Sequence, residues 1–238
     1  MYVAMTPAMP APAPAADLSD AYALVADTVR RQDHDRWLAG LWAPAEHRPH
    51  LYALYAFSGE IARIRDVVSD PLPGEVRARW WADMLSGTRG EEGAGHPVAA
   101  CLIDTMRRFD LPPEALEGLI EARIFDLYDD PMETLGDLDA YCDATVGTLL
   151  GLGCRILQGH CEETVGPAAR AAGRAYGVAG LLRALPFHAS RGQVFLPADL
   201  LAAHGVDRAD ILAGRTTPAL LAALAALRAR ARDALAET

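Results

Sequence analysis

LYALYAFSGEIARIRD, residues 51–66, carries apolar and small side chains at three- and four-residue steps. Leu51, Leu54, Tyr55, Ser58, Ala62 and Arg65 fall along one side of a helix, a pattern that the two-residue period of a strand does not produce. The spacing predicts a helix from about Pro44 to Ser69, stopped at Asp70-Pro71 because a residue before proline is pushed out of helical geometry. The same period extends in both directions. Ala21, Leu24, Val25, Thr28 and Val29 mark an earlier helix, and Glu75 to Leu85 restarts one carrying Trp80-Trp81. Further helices are expected at about Val98–Phe109, Pro112–Tyr128, Leu135–Gln158 and Gly166–Leu185, the last ending at Pro186. After a short extended piece at Gln193 to Pro197, the final helix, about Thr217–Ala236, repeats Leu220, Leu224, Leu227, Ala231 and Leu235 with Arg228 and Arg232 beside them. No period-two run is long enough to seed a sheet, so the fold class is all-α.

The 238 residues suit one domain over 17–238, behind an Ala/Pro-rich stretch at 1–16 that reads as a disordered tail. That stretch has neither the basic start and proline-free apolar run of a secretory signal nor the arginines of a transit peptide. Ser86 to Pro97 reads as a flexible loop. A formal charge of −10 disfavours nucleic acid as a partner. Every basic residue apart from histidine is Arg, which rules out Schiff-base chemistry and a phosphate-binding lysine. Cys101, Cys142, Cys154 and Cys161 show no CxxC spacing, as expected of buried thiols in a reducing compartment. No apolar run reaches about 18 residues, so a transmembrane segment is not expected; a cytoplasmic protein is, with room for peripheral contact at the inner membrane.

Three carboxylate pairs stand four apart, Asp66/Asp70, Asp126/Asp130 and Asp139/Asp143, a spacing that lets two carboxylates share one helical face and a divalent metal. In an acidic helical chain such pairs arise often by chance, and solvated helix faces are the favoured reading of each. Asp70 and Asp130 each precede proline, which weakens the metal reading. The histidines show neither HExxH nor paired spacing, and no GxSxG, GxGxxG or P-loop is present.

Four segments carry a resemblance: residues 51–66; LIEARIFDLYDDP; YCDATVGTLLGLG, residues 141–153; and RAYGVAGLLRALPFHASRGQVFLP, residues 174–197. In this order, from about Trp37 to Val206, the chain resembles the squalene/phytoene synthase family. The resemblance implies a single-domain isoprenoid-synthase-like helical bundle around a central cavity. It also implies Mg²⁺ held between two aspartate-rich motifs for head-to-head joining of prenyl diphosphates. At the first motif, counted from Ala56-Phe57, this chain has Ala62, Arg63, Ile64, Arg65 and Asp66. At the second, Leu182-Arg183, Arg191-Gly192 and Leu196-Pro197 are retained, while Ala184 and His188 stand at the aspartate positions. The substituted wording is most similar to the catalytically degenerate branch, which includes the mitochondrial respiratory complex I assembly factor and bacterial relatives.

Two functions follow. The favoured expectation is a pseudoenzyme without catalytic residues, metal or cofactor, serving as a binding or respiratory-complex assembly-type factor. Its partner would be a protein or an isoprenoid or lipid diphosphate, with Arg63, Arg65, Arg183, Arg191, Tyr141 and His188 as the binding candidates. The four arginines would clamp a diphosphate or pair with carboxylates such as Asp66 and Asp126. His188 is expected to be a neutral imidazole hydrogen-bonded to backbone, and Tyr141 and Cys142 to face the interior. Either Trp80 or Trp81 would mark a partner surface. The alternative is a Mg²⁺-dependent prenyl transferase relying on Asp66, Asp70 and Asp126, with Asp130.

Overall fold

The computed structural model describes residues 17–88, 93, 95–159 and 165–238. Among them α1 spans Ser19–Gln32, α2 His34–Gly40, α3 Arg48–Ala62, α4 Pro71–Leu85, α5 Pro97–Phe109 and α6 Pro113–Ile124. α7 (Leu135–Cys142) and α8 (Thr148–Gln158) are joined through a π-helical turn at Asp143–Gly147. The long α9 (Val165–Ser190) is followed by α10 (Ala198–Ala203), α11 (Arg208–Leu212) and α12 (Pro218–Ala236). There is no strand among the described residues, and none of their helices is long and apolar enough to cross a membrane. The tail expected at residues 1–16, and part of the loop expected between Ser86 and Pro97, lie outside the described residues.

Local chemistry sets the helix ends. Proline stands in the first turn of α3, α4, α5, α6 and α12, where its missing N–H costs nothing. Thr134 and Asp137 cap α7 reciprocally, and Thr217 accepts from Leu220 N at the start of α12. The apolar stripes then meet in two cores. One gathers Leu54, Phe57, Met84, Leu102 and Leu116 between α1, α3, α4, α5 and α6. The other gathers Leu138, Val178, Leu196 and Leu227 around α7, α9 and α12. Trp81 belongs to the first core, edge-on to Phe57 at 5.4 Å, whereas Trp80 is only half-buried.

Four expectations about elements change. The helix predicted over Pro44 to Ser69 covers only Arg48–Ala62, and Asp66 lies in a 3₁₀ turn at Ile64–Val67. Asp70 is extended at the start of α4, so Asp66 and Asp70 do not share a helical face. The helix expected to Tyr128 ends at Ile124, and the 3₁₀ turn Phe125–Leu127 carries Asp126 while Asp130 is exposed in irregular chain, separating that pair too. Pro186 does not end α9: the helix runs on through it to Ser190. The helix expected over Leu135–Gln158 is interrupted by the π turn, which forms where α9 crosses it.

A polar network ties α1, α3 and α5 together. The Tyr22 hydroxyl lies 2.7 Å from Asp104 Oδ2 and 3.0 Å from His50 Nδ1, and His50 Nδ1 lies 2.9 Å from Thr105 Oγ1. His50 is 4% exposed, and burial, followed by the Arg108 charge, holds its pKa below the usual histidine value. The unfolded chain therefore takes up a proton on His50 at a higher pH than the folded one. Stability is expected to fall as pH drops below about 6.5, by at most about 1.4 kcal/mol per pH unit from this group. Urea denaturation of wild type and His50→Gln between pH 7.5 and 5.5 checks it; the variant should show the shallower decline.

Candidate functional site

Where the two cores meet, the chain assembles a cluster of charge. Asp126 stands just beyond the last turn of α6, 8% exposed, and receives donors from three directions. Arg123 Nη1 donates to Asp126 Oδ2 at 3.0 Å and to the Tyr141 hydroxyl oxygen at 2.7 Å. The Tyr141 hydroxyl donates in turn to Asp126 Oδ1 at 2.7 Å, and Gln193 Nε2 donates to the Asp126 carbonyl at 2.9 Å. Burial, against the pull of Arg123, pushes the Tyr141 hydroxyl well above its ordinary pKa, which keeps it a neutral donor. Burial alone would lower the Arg123 value; Tyr141 and Asp126 outweigh it and hold the guanidinium above its ordinary range. The void beside this cluster, between Ile61, Arg65, Arg123 and Asp126, measures about 10 Å³, room for at most one water. Arg65 Nε and Arg123 Nε are buried there without hydrogen-bond partners.

A second arginine–carboxylate pair joins distant parts of the chain. Arg191, just past α9, bonds Asp66 in the 3₁₀ turn after α3, and its guanidinium lies 4.3 Å from the Phe187 ring centroid. His188 sits between the two pairs. Its ring packs edge-on to Phe195 at 4.7 Å and to Phe187 at 5.6 Å. Its pKa is lowered first by burial, with Arg191 and Arg123 lowering it further against Asp126 and Asp66. The hydrogen bonds to backbone expected of the imidazole are made instead by the His188 carbonyl, which accepts from Arg191 N and Gln193 N.

The remaining candidates separate. Arg65 reaches Asp129 at 3.7 Å, Arg183 pairs with Asp35 at 3.3 Å on the open surface, and Arg63 is exposed at the end of α3. The four arginines thus do not close on one anion; three of them end on three different carboxylates. The third acidic pair is also taken: Arg174 binds Asp143 bidentately at 2.6 and 2.8 Å, and Arg230 bonds Asp139. Cys142 is buried against α9, its thiol pushed up to about 12 by burial. Among the described residues no group of three or more His, Cys, Asp or Glu is placed to hold a metal ion.

The sequence reading missed Arg123 and Gln193. Arg123 carried a signal, standing three residues before Asp126 on α6, a spacing that brings side chains together on a helix. Gln193 carried none, since its bond to residue 126 depends on tertiary placement. A separate apolar groove of about 660 Å³ runs between α8, α9 and α12, walled by Leu150, Tyr176, Leu182 and Leu235, with Arg228 and Arg232 also lining it.

Comparison with known proteins gives a consistent pattern. Residues 29–238 match the squalene/phytoene synthase family. The chain is 34% identical over 194 residues to bovine (Bos taurus) NADH dehydrogenase (ubiquinone) complex I, assembly factor 6, covering 82% of this chain and 57% of that protein. It is 32% identical over 198 residues to the phytoene synthase of Thermus thermophilus, covering 82% of this chain and 66% of that enzyme. The chain thus spans little more than half the length of the first of these relatives. A squalene synthase of Alicyclobacillus acidocaldarius superposes with a TM-score of 0.81 at 22% identity, covering 93% of this chain and 82% of that one, which shows the fold.

Proposed function

The chain belongs to the squalene/phytoene synthase family, and from that membership we propose that it serves as a binding or assembly-type factor rather than as a magnesium-dependent prenyl transferase. The observation that carries this is the state of the carboxylates. Mg²⁺ needs several free, hard oxygen ligands arranged octahedrally. Asp126 is bracketed by Arg123 and Tyr141, and Asp66 by Arg191, while Ala184 and His188 stand at the second motif. A cation placed there would meet guanidinium groups at the distance where its ligands should be, and the donor set does not fit it.

The similarity to complex I assembly factor 6 supports the assembly-type reading. Arginine does in this scaffold what a metal would do in a catalytic one: it neutralises buried carboxylates and fixes α6, α7 and α9 around them. Its partner would then be a protein, engaged by the outer surface, rather than a prenyl diphosphate engaged by the interior. Incubation with farnesyl or geranylgeranyl diphosphate and Mg²⁺ is expected to yield no condensed hydrocarbon product by chromatography. Appearance of a Mg²⁺-dependent head-to-head product would overturn the proposal.

A further inference from the structure

Another open cavity lies away from the charge cluster, between α4 and α6. It is a groove of about 750 Å³ whose floor is apolar, built from Val76 and Trp80 of α4 and Ile120 and Ile124 of α6. Leu72 and Val76 are 70% and 64% exposed, so the apolar lining is open to solvent along α4. Carboxylates line both rims. On α4, Asp83 pairs with Arg79 at 3.7 Å and Glu75 accepts from the Tyr128 hydroxyl; on α6 stand Glu114, Glu117 and Glu121. Among the described residues Glu114, Glu117 and Glu121 form no ion pair, in a protein whose other carboxylates are widely matched to arginine.

Gly118 adds an independent observation. It lies mid-way along α6 in the groove lining, and a Cβ built on it would meet nothing within 4 Å. Packing does not demand a glycine there, and helix propensity opposes one. Its effect is to keep the groove open at its centre.

We propose that this groove docks a cationic amphipathic helix of a partner protein. The apolar floor takes the helix's Leu or Phe anchors at three- and four-residue steps, and Glu114, Glu117 and Glu121 along the α6 rim take its Lys or Arg. From Leu72 to Asp83 the groove is about 16 Å long, enough for roughly three turns. An anionic lipid surface or a nucleic acid would be repelled by the same rims. The proposal rests on the assembly-type reading for its partner class but not on the loss of catalysis. It also places the two tryptophans: Trp81 is core, and Trp80 is the aromatic side of the docking floor.

The test uses fluorescence anisotropy of the full chain with a labelled 14-residue Leu/Lys peptide of helical period, and with a peptide of the same composition whose leucines are scattered. Saturable binding is expected for the first, weakening at least tenfold for the scattered peptide and at least tenfold between 50 and 300 mM salt. Gly118→Leu fills open space, and Glu117→Lys with Glu121→Lys changes exposed or half-exposed positions. Each is expected to keep the wild-type melting temperature within a few degrees and to weaken binding at least tenfold. Absence of saturable binding, equal binding of the scattered peptide, or undiminished binding by folded Gly118→Leu would each overturn the proposal. Turnover of prenyl diphosphate alongside intact peptide binding would instead sink the functional reading and leave the groove standing.

Discussion

Asp126→Ala is expected to destabilise the protein by about 2–4 kcal/mol. The carboxylate accepts from Arg123 and Tyr141, and its side chain is 12% exposed while that of Arg123 is 22% exposed. Removing one member of a buried pair leaves the other charged and uncompensated, which costs about 3–5 kcal/mol when water is fully excluded. The residual exposure of Arg123 lets water recover part of that. The sign is diagnostic. Carboxylates gathered to bind a metal repel one another, so neutralising one in the metal-free protein leaves stability unchanged or raises it. A carboxylate that serves arginine does the opposite. Arg123→Met combined with Asp126→Leu is expected to recover most of the loss, because a well-packed apolar pair replaces an ion pair at little net cost. Urea denaturation of the single and double variants measures both.

Gly173→Ala is expected to cost about 1–3 kcal/mol or more, through overpacking alone. A Cβ at residue 173 would stand 2.5 Å from both the Cα and the N of Gly147 in the π turn. Those neighbours are backbone, which cannot rotate away as a side-chain tip would, so α9 and the α7–α8 segment would have to separate. That contact holds Tyr141 and Asp143 in place against α9. The variant should therefore also loosen the bidentate Arg174–Asp143 pair, read as faster hydrogen exchange across α7 as well as a lower melting temperature. Unchanged stability in Gly173→Ala would mean that the helices sit farther apart than described.

The class and order of the elements were legible because helical period is a repeated signal, and stripes such as Leu220, Leu224 and Leu227 lead directly to buried core. The interruptions were not. A 3₁₀ turn of three or four residues, as at Ile64–Val67 or Phe125–Leu127, leaves the apolar spacing almost undisturbed, so the sequence reads as one longer helix. Those turns matter, because they pull Asp66 and Asp126 out of the helical pairs that spacing alone suggested. Pro186 misled for a different reason: proline signals a stop, but α9 runs on through it to Ser190, which keeps His188 on the same rod as Arg183.

The site was legible in composition and opaque in pairing. The substitutions at residues 63, 65, 184 and 188 are visible in the chain itself. Which arginine meets which carboxylate is not, since Arg191 and Asp66 are 125 residues apart. Local spacing did contain Arg123 and Asp126, yet only the fold shows that Tyr141 closes the triangle and that the neighbouring void is nearly filled.

The most direct test of the carboxylate–arginine reading is a thermal-shift titration with Mg²⁺ and farnesyl thiodiphosphate, on wild type and on Asp66→Ala. A ligand that binds the folded state alone at a hundred times its dissociation constant stabilises by about 2.7 kcal/mol, a shift of several degrees. With Arg191 and Arg123 already seated on the carboxylates, no magnesium-dependent shift is expected in either protein. A magnesium-dependent rise in the wild-type melting temperature that disappears in Asp66→Ala would contradict it.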